Sequence, residues 1–235
     1  MFQISAYGDA GLRVQFGETI SKETNEKIRS FCMYLEKEKI PGVMEWIPTY
    51  TSVSIIYDPY QLLYDALKER VEAVENQLSK IDLPAAEVVK IPVLYGGEKG
   101  PDLEQVAQLN GLSEEEVISI HSGSDYLIYM MGFIPGFPYL GGMSEKIATP
   151  RLSTPRSAIP AGSVGIAGEQ TGIYPLESPG GWQIIGQTPL KLYNPDQESP
   201  ILLRAGNYIR FVPITSEEYH TIASEIEAGS YIRKY

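Results

Sequence analysis

From Asp125 to about residue 215, glycine or proline interrupts the chain every few residues, and no amphipathic helix fits before Glu217–Ala228. That texture confines the stretch to short strands joined by tight turns, the pattern of a β-barrel or sandwich. The first third reads differently. Residues 2–6 and 12–16 predict strands around a turn at Gly8-Asp9. Ile28, Phe31, Cys32 and Leu35 recur at i, i+3, i+4 and i+7, one face of a helix, with Ser21 as N-cap and Pro41-Gly42 as stop. Strands over 43–47 and 52–57 follow. Asp58-Pro59-Tyr60-Gln61 then predicts the opening of a second helix, its apolar stripe being Leu63, Leu67, Val71, Val74 and Leu78. Residues 79–87 read as a linker before a strand over Val88 to Leu94. Asp102 starts a short helix that ends at Asn110-Gly111, and Ser113 with Glu116 forms a capping box for another that runs to His121. The expectation is an α+β chain of two domains: 1–82, a helix pair on one face of an antiparallel sheet, and 83–235, mostly β.

A length of 235 residues suits one large or two small domains, and 43% hydrophobic with 21% charged residues is globular composition. The net charge of −11 repels nucleic acid and anionic lipid, so neither is expected as a partner. Cys32 is the single cysteine and lies among apolar residues, which excludes an internal disulfide and reads as a small buried hydrophobe. With His121 and His220 as the only histidines, no metal site is expected. There is no apolar run of membrane-spanning length, and Met1-Phe2-Gln3-Ile4-Ser5 lacks the basic and apolar regions of a signal peptide. The cytoplasm is the expected location.

No GxxxxGK[ST] phosphate loop or GxGxxG fingerprint occurs. Ala161-Gly162-Ser163-Val164-Gly165 resembles a nucleophile elbow in spacing, but Pro160 before it and a glycine-rich run after it favour a tight β-turn. His121 ends a helix, where the dipole favours imidazolium, and Asp125 is near enough to orient it. It reads either as a proton-transfer or anion-contacting residue or as a C-capping histidine at a domain surface. Arg151 and Arg156 each follow a proline, which fixes the backbone and suits them to a carboxylate or phosphate; the alternative is an exposed loop with solvated charges. Gln183 is a further candidate for a polar contact. Phe133, Phe137, Tyr139 and Trp182 stand on Gly/Pro-rich segments, either as a recognition surface or as packing.

These segments carry a resemblance. Gly132-Phe133-Ile134-Pro135-Gly136-Phe137-Pro138-Tyr139-Leu140, then Pro150-Arg151 and Pro155-Arg156, then Ile159 to Gly168, Tyr174-Pro175, Ser178-Pro179-Gly180-Gly181-Trp182 and Gly186-Gln187-Thr188-Pro189 resemble the signature of the allophanate hydrolase subunit 1 family. His121 and Tyr126 stand where that family has its His-then-Tyr lead-in. The resemblance implies a ferredoxin-like N-terminal domain and a cyclophilin-like β-barrel after it. It implies a role as the B subunit of an ATP-dependent 5-oxoprolinase, opening the lactam of 5-oxoproline to glutamate together with the A and C subunits. ATP then belongs to the assembled complex, with none bound by this chain alone, and the chain alone is inactive. The alternative role it implies is inhibition of a sporulation histidine kinase, through the kinase's dimerisation and phosphotransfer domain. Side-chain chemistry within these motifs assigns His121 to catalysis, Arg151, Arg156 and Gln183 to substrate or phosphate, and Phe133, Phe137, Tyr139 and Trp182 to a partner interface.

Overall fold

Ser21 accepts a hydrogen bond from the Thr24 backbone N–H at 3.1 Å and so starts α1, Lys22–Glu38. The helix ends at Lys39, in the left-handed region at φ +45, whose N–H closes on the Leu35 carbonyl. The stop therefore comes ahead of Pro41-Gly42. The computed structural model describes residues 3–75, 78 and 81–231, and contacts divide the chain into units 1–85 and 86–235, against a sequence boundary at 82/83.

In the first unit, β1 (Gln3–Ala6), β2 (Gly11–Gln15), β3 (Val43–Pro48) and β4 (Ser52–Tyr57) form one antiparallel sheet in the order β1-β2-β4-β3. The β2-α1-β3 segment is a split β-α-β unit with β4 between its strands, which gives the ferredoxin-like arrangement expected. Leu12, Val14, Val53 and Ile55 of the sheet are buried with Ile28, Phe31 and Leu35 of α1 and Leu67 and Val71 of α2 (Tyr64–Val74). That second helix starts later than the sequence predicts. Asp58 does accept from the Tyr60 N–H, at 2.9 Å, but the chain then closes a turn through Gln61 and Leu62 N–H to the Asp58 carbonyl. The turn leaves Leu63 72% exposed, outside the apolar stripe.

In the second unit the strands are β5 (Val88–Tyr95), β6 (Asp125–Met131), β7 (Pro138–Gly141), β8 (Arg156–Ile159), β9 (Ser163–Ala167), β10 (Gln170–Ile173), β11 (Ser178–Gly180), β12 (Gln183–Gln187) and β13 (Tyr208–Pro213). Seven of them make a sheet ordered β10-β9-β12-β5-β13-β6-β7, and its two end strands lie side by side, so the sheet nearly closes into the cyclophilin-like barrel expected. Only β5 and β13 pair in parallel among the described strands. β8 and β11 form a separate ribbon. The helices are α3 (Leu103–Asn110), α4 (Glu114–Ser122) and α5 (Ser216–Glu227), and the Ser113–Glu116 capping box is present. α3 packs on β12 and α4 on β13, closing a core that includes Ile91, Val93, Val106, Ile128, Ile185 and Phe211.

Candidate functional site

The last turn of α4 directs His121 into the core. Its ring is fully buried and stacks on Phe211, with centroids 4.4 Å apart and planes at 29°. Nδ1 lies 2.7 Å from the Tyr95 hydroxyl and Nε2 lies 2.8 Å from Thr171 Oγ1. Thr171 donates its one hydroxyl proton to the Gly165 carbonyl at 3.0 Å. It can then only accept from His121, which assigns the ring proton to Nε2 and makes Nδ1 the acceptor for Tyr95. Burial pushes the imidazole pKa down to about 3, so the ring is neutral. This corrects the sequence expectation of a surface imidazolium: desolvation outweighs the helix dipole, and a ring so placed offers neither nitrogen to a ligand. Asp125 does not orient it. That carboxylate takes both Nε and Nη2 of Arg210, each at 2.6 Å.

The four aromatic candidates do gather. Phe137 is buried at 5% exposure and makes edge-on contacts with Phe133 (5.9 Å), Tyr139 (5.5 Å), Tyr174 (6.0 Å) and Trp182 (5.9 Å). Tyr139 and Trp182 are half-buried, whereas Phe133 is 73% exposed. Phe133 also holds φ +67, a conformation that costs a non-glycine residue on the order of 1–3 kcal/mol.

Beside this cluster stand the polar candidates. Arg156 donates from Nη2 to Asp102 Oδ1 at 2.6 Å and from Nη1 to the Trp182 carbonyl at 3.3 Å. Asp102 is buried and accepts the Ile184 N–H on its other oxygen at 2.6 Å. Arg151 is exposed and makes no ion pair or side-chain hydrogen bond among the described residues. Gln183 is buried, and its Nε2 donates to the Pro150 carbonyl at 3.0 Å. Its Oε1 has no donor, an orphan that a buried site tolerates at a cost of about 1–3 kcal/mol. Tyr174, part of the Tyr174-Pro175 motif, also belongs here. Burial raises the pKa of its hydroxyl, while the charges of Arg151 and Arg156 draw it back down. A Cβ at Gly180 would overlap that hydroxyl, so glycine keeps the space open. The sequence marks Asp102 only as a helix start. Its partner is 54 residues away, and no local signal announces it.

Ser163 opens β9 behind Gly162 at φ +81, and a strand follows it. The tight-turn reading therefore describes the backbone, and the strand-turn-helix geometry of an elbow is absent there.

The carboxyltransferase domain, subdomain C and D, matches residues 2–203. The B subunit of 5-oxoprolinase from Bacillus subtilis (strain 168) is 47% identical over 234 residues, covering 95% of this chain and 98% of that protein. A conserved uncharacterized protein from Pyrococcus horikoshii is 45% identical, with a TM-score of 0.55 over 92% of this chain and 100% of its own. The urea amidolyase of K. lactis shares the fold at a TM-score of 0.77 and 20% identity; it covers 98% of this chain, which spans 16% of that larger protein.

Proposed function

The chain belongs to the family of carboxyltransferase-domain subdomains C and D, and from that premise we propose that it works as the B subunit of an ATP-dependent 5-oxoprolinase. The observation that carries this reading is 47% identity along almost the full length of both chains to a relative of that name. In this reading the A and C subunits complete the enzyme in the cytoplasm, and the lactam of 5-oxoproline is opened to glutamate. ATP is a substrate of the assembly, since this sequence has no glycine-rich phosphate loop. Lactam cleavage develops negative charge on the former carbonyl oxygen, and fixed positive donors stabilise it. Arg151 and Arg156 are the candidates, and the charges of both also act on Tyr174. Gln183 Oε1 is buried without a donor and can accept from a bridging water. His121 takes a different role from the sequence expectation: it ties β5, α4 and β10 together.

Purified alone, the chain should show no ATP-dependent hydrolysis of 5-oxoproline, and addition of the A and C subunits should restore it. Full turnover by the isolated chain overturns partner dependence, and an assembled complex that leaves 5-oxoproline intact overturns the activity. A second reading, inhibition of a sporulation histidine kinase, draws support from Phe133. An exposed aromatic ring held in a strained conformation suits a protein contact more than a core.

A further inference from the structure

Between β5 and α3 the chain runs Gly96-Gly97-Glu98-Lys99-Gly100-Pro101-Asp102. Gly96 N–H donates to the Ile185 carbonyl at 3.0 Å, Asp102 N–H to the Ile184 carbonyl at 2.9 Å, and Gly100 N–H to the Gly96 carbonyl at 2.8 Å. A Cβ at Gly100 would overlap the Ile185 carbonyl. The loop is thus clamped onto β12, and its side chains start from fixed positions. Beneath it lies a cavity of about 160 Å3, walled by Lys99, Arg156, Ser163, Ile184 and Gln187, with Glu98 exposed at its rim.

The wall is rich in donors. The Lys99 ammonium sits 5.0 Å from the centroid of the Tyr219 ring and makes no ion pair among the described residues. Arg156 is oriented by Asp102, which takes one of its five N–H groups at 2.6 Å. Gln187 is satisfied by the Ala161 carbonyl and the Tyr219 hydroxyl. Ser163 is not: it is 2% exposed, and its hydroxyl has no hydrogen-bond partner among the described residues. Its oxygen is left open toward the cavity, where it can donate to an acceptor.

We propose that this cavity binds the carboxylate of a small organic acid, with Lys99, Arg156 and Ser163 as its donors and Ile184 against its apolar body. Two cationic donors and a hydroxyl match an oxyanion. A volume of about 160 Å3 suits a compact acid. The choice of 5-oxoproline as that acid rests on the oxoprolinase reading; the cavity and its carboxylate chemistry do not.

The test is titration of the full chain with 5-oxoproline and, separately, with inorganic phosphate, followed by heat or by amide chemical shifts. Wild type should bind 5-oxoproline saturably. S163A and K99M, checked for unchanged melting, should each weaken binding by about tenfold or more, and E98Q should tighten it. No saturable binding to wild type, or unchanged binding in both S163A and K99M, overturns the proposal. Phosphate binding that these variants abolish, without 5-oxoproline binding, overturns the carboxylate assignment. Turnover by the reconstituted complex is measured in parallel. A wild-type complex that hydrolyses 5-oxoproline, with KM unchanged in both variants, sinks the cavity and leaves the oxoprolinase reading standing. An inactive wild-type complex sinks that reading, and the cavity is then judged on binding alone.

Discussion

His121 shows how burial reverses what a sequence position promises. Its folded pKa, about 3, lies below the ordinary value of 6.5. The unfolded chain therefore takes up the proton first as pH falls. The residue's contribution to stability is complete above pH 6.5 and is lost as pH falls toward the folded value, at up to about 1.4 kcal/mol per pH unit. H121L removes the titrating ring, leaves the Tyr95 hydroxyl without its acceptor and leaves Thr171 with only its bond to the Gly165 carbonyl, so it should be the less stable protein at pH 7.5. Urea unfolding of both proteins from pH 7.5 to pH 4 should show that gap narrowing as the medium becomes acidic. A gap independent of pH would count against a neutral buried ring. Cys32 is a plainer case. Burial pushes its thiol up to about 12, in keeping with the inert small hydrophobe that its apolar neighbours imply.

At the scale of elements, Asp102 joins three of them: α3, which it precedes, β12 through the Ile184 N–H, and β8 through Arg156. Removing a buried carboxylate of this kind strands an arginine and an amide, although the arginine is a third exposed and partly rescued by water. D102A should cost about 2 kcal/mol in chemical denaturation with an unchanged m-value, and R156M should cost less when Asp102 is already gone. Fully additive losses would show that the pair is not coupled.

The same elements show what a sequence discloses. The Ser113–Glu116 capping box and the α1 stripe were legible because their partners lie within one or two turns of helix. The start of α2 was misplaced because Asp58 chose a turn that places Leu62, rather than Leu63, in the core. The long-range links were silent: Asp102 to Arg156, Asp125 to Arg210, His121 to Thr171. Each depends on register across the barrel, which no local pattern encodes. The Gly/Pro-rich motifs announced that Phe137, Tyr139 and Trp182 would matter, but composition could not distinguish the packed ring from the exposed one.

For the molecule as a whole, that distinction separates association from stability. Phe133 and Phe137 touch each other, yet one faces water and the other does not. If the exposed ring anchors a partner, F133A should weaken association with the C subunit by about 2 kcal/mol or more while leaving the melting temperature level or raised. F137A should instead lower stability by about 3–5 kcal/mol. Binding and melting measured on both variants decide the matter: unchanged affinity for the C subunit in F133A removes that ring from the interface. No helix among the described residues is long and apolar enough to cross a membrane.

The parallel pairing of β5 with β13 sets an order of events during synthesis. Glu87 and Asn207, hydrogen-bonded at the mouth of that pair, are separated by 120 residues. A ribosome adding about 5–20 residues per second needs roughly 6–24 s to bridge them. For that interval β5 has emerged without β13, and until β12 (Gln183–Gln187) follows, both of its edges carry open hydrogen-bonding groups. The strand meets that interval with Lys90 and, two residues on, Pro92, a charge and a missing donor, both of which discourage pairing with a stray strand. The barrel is thus sealed by its last strand, and its first strand carries its own protection against premature company.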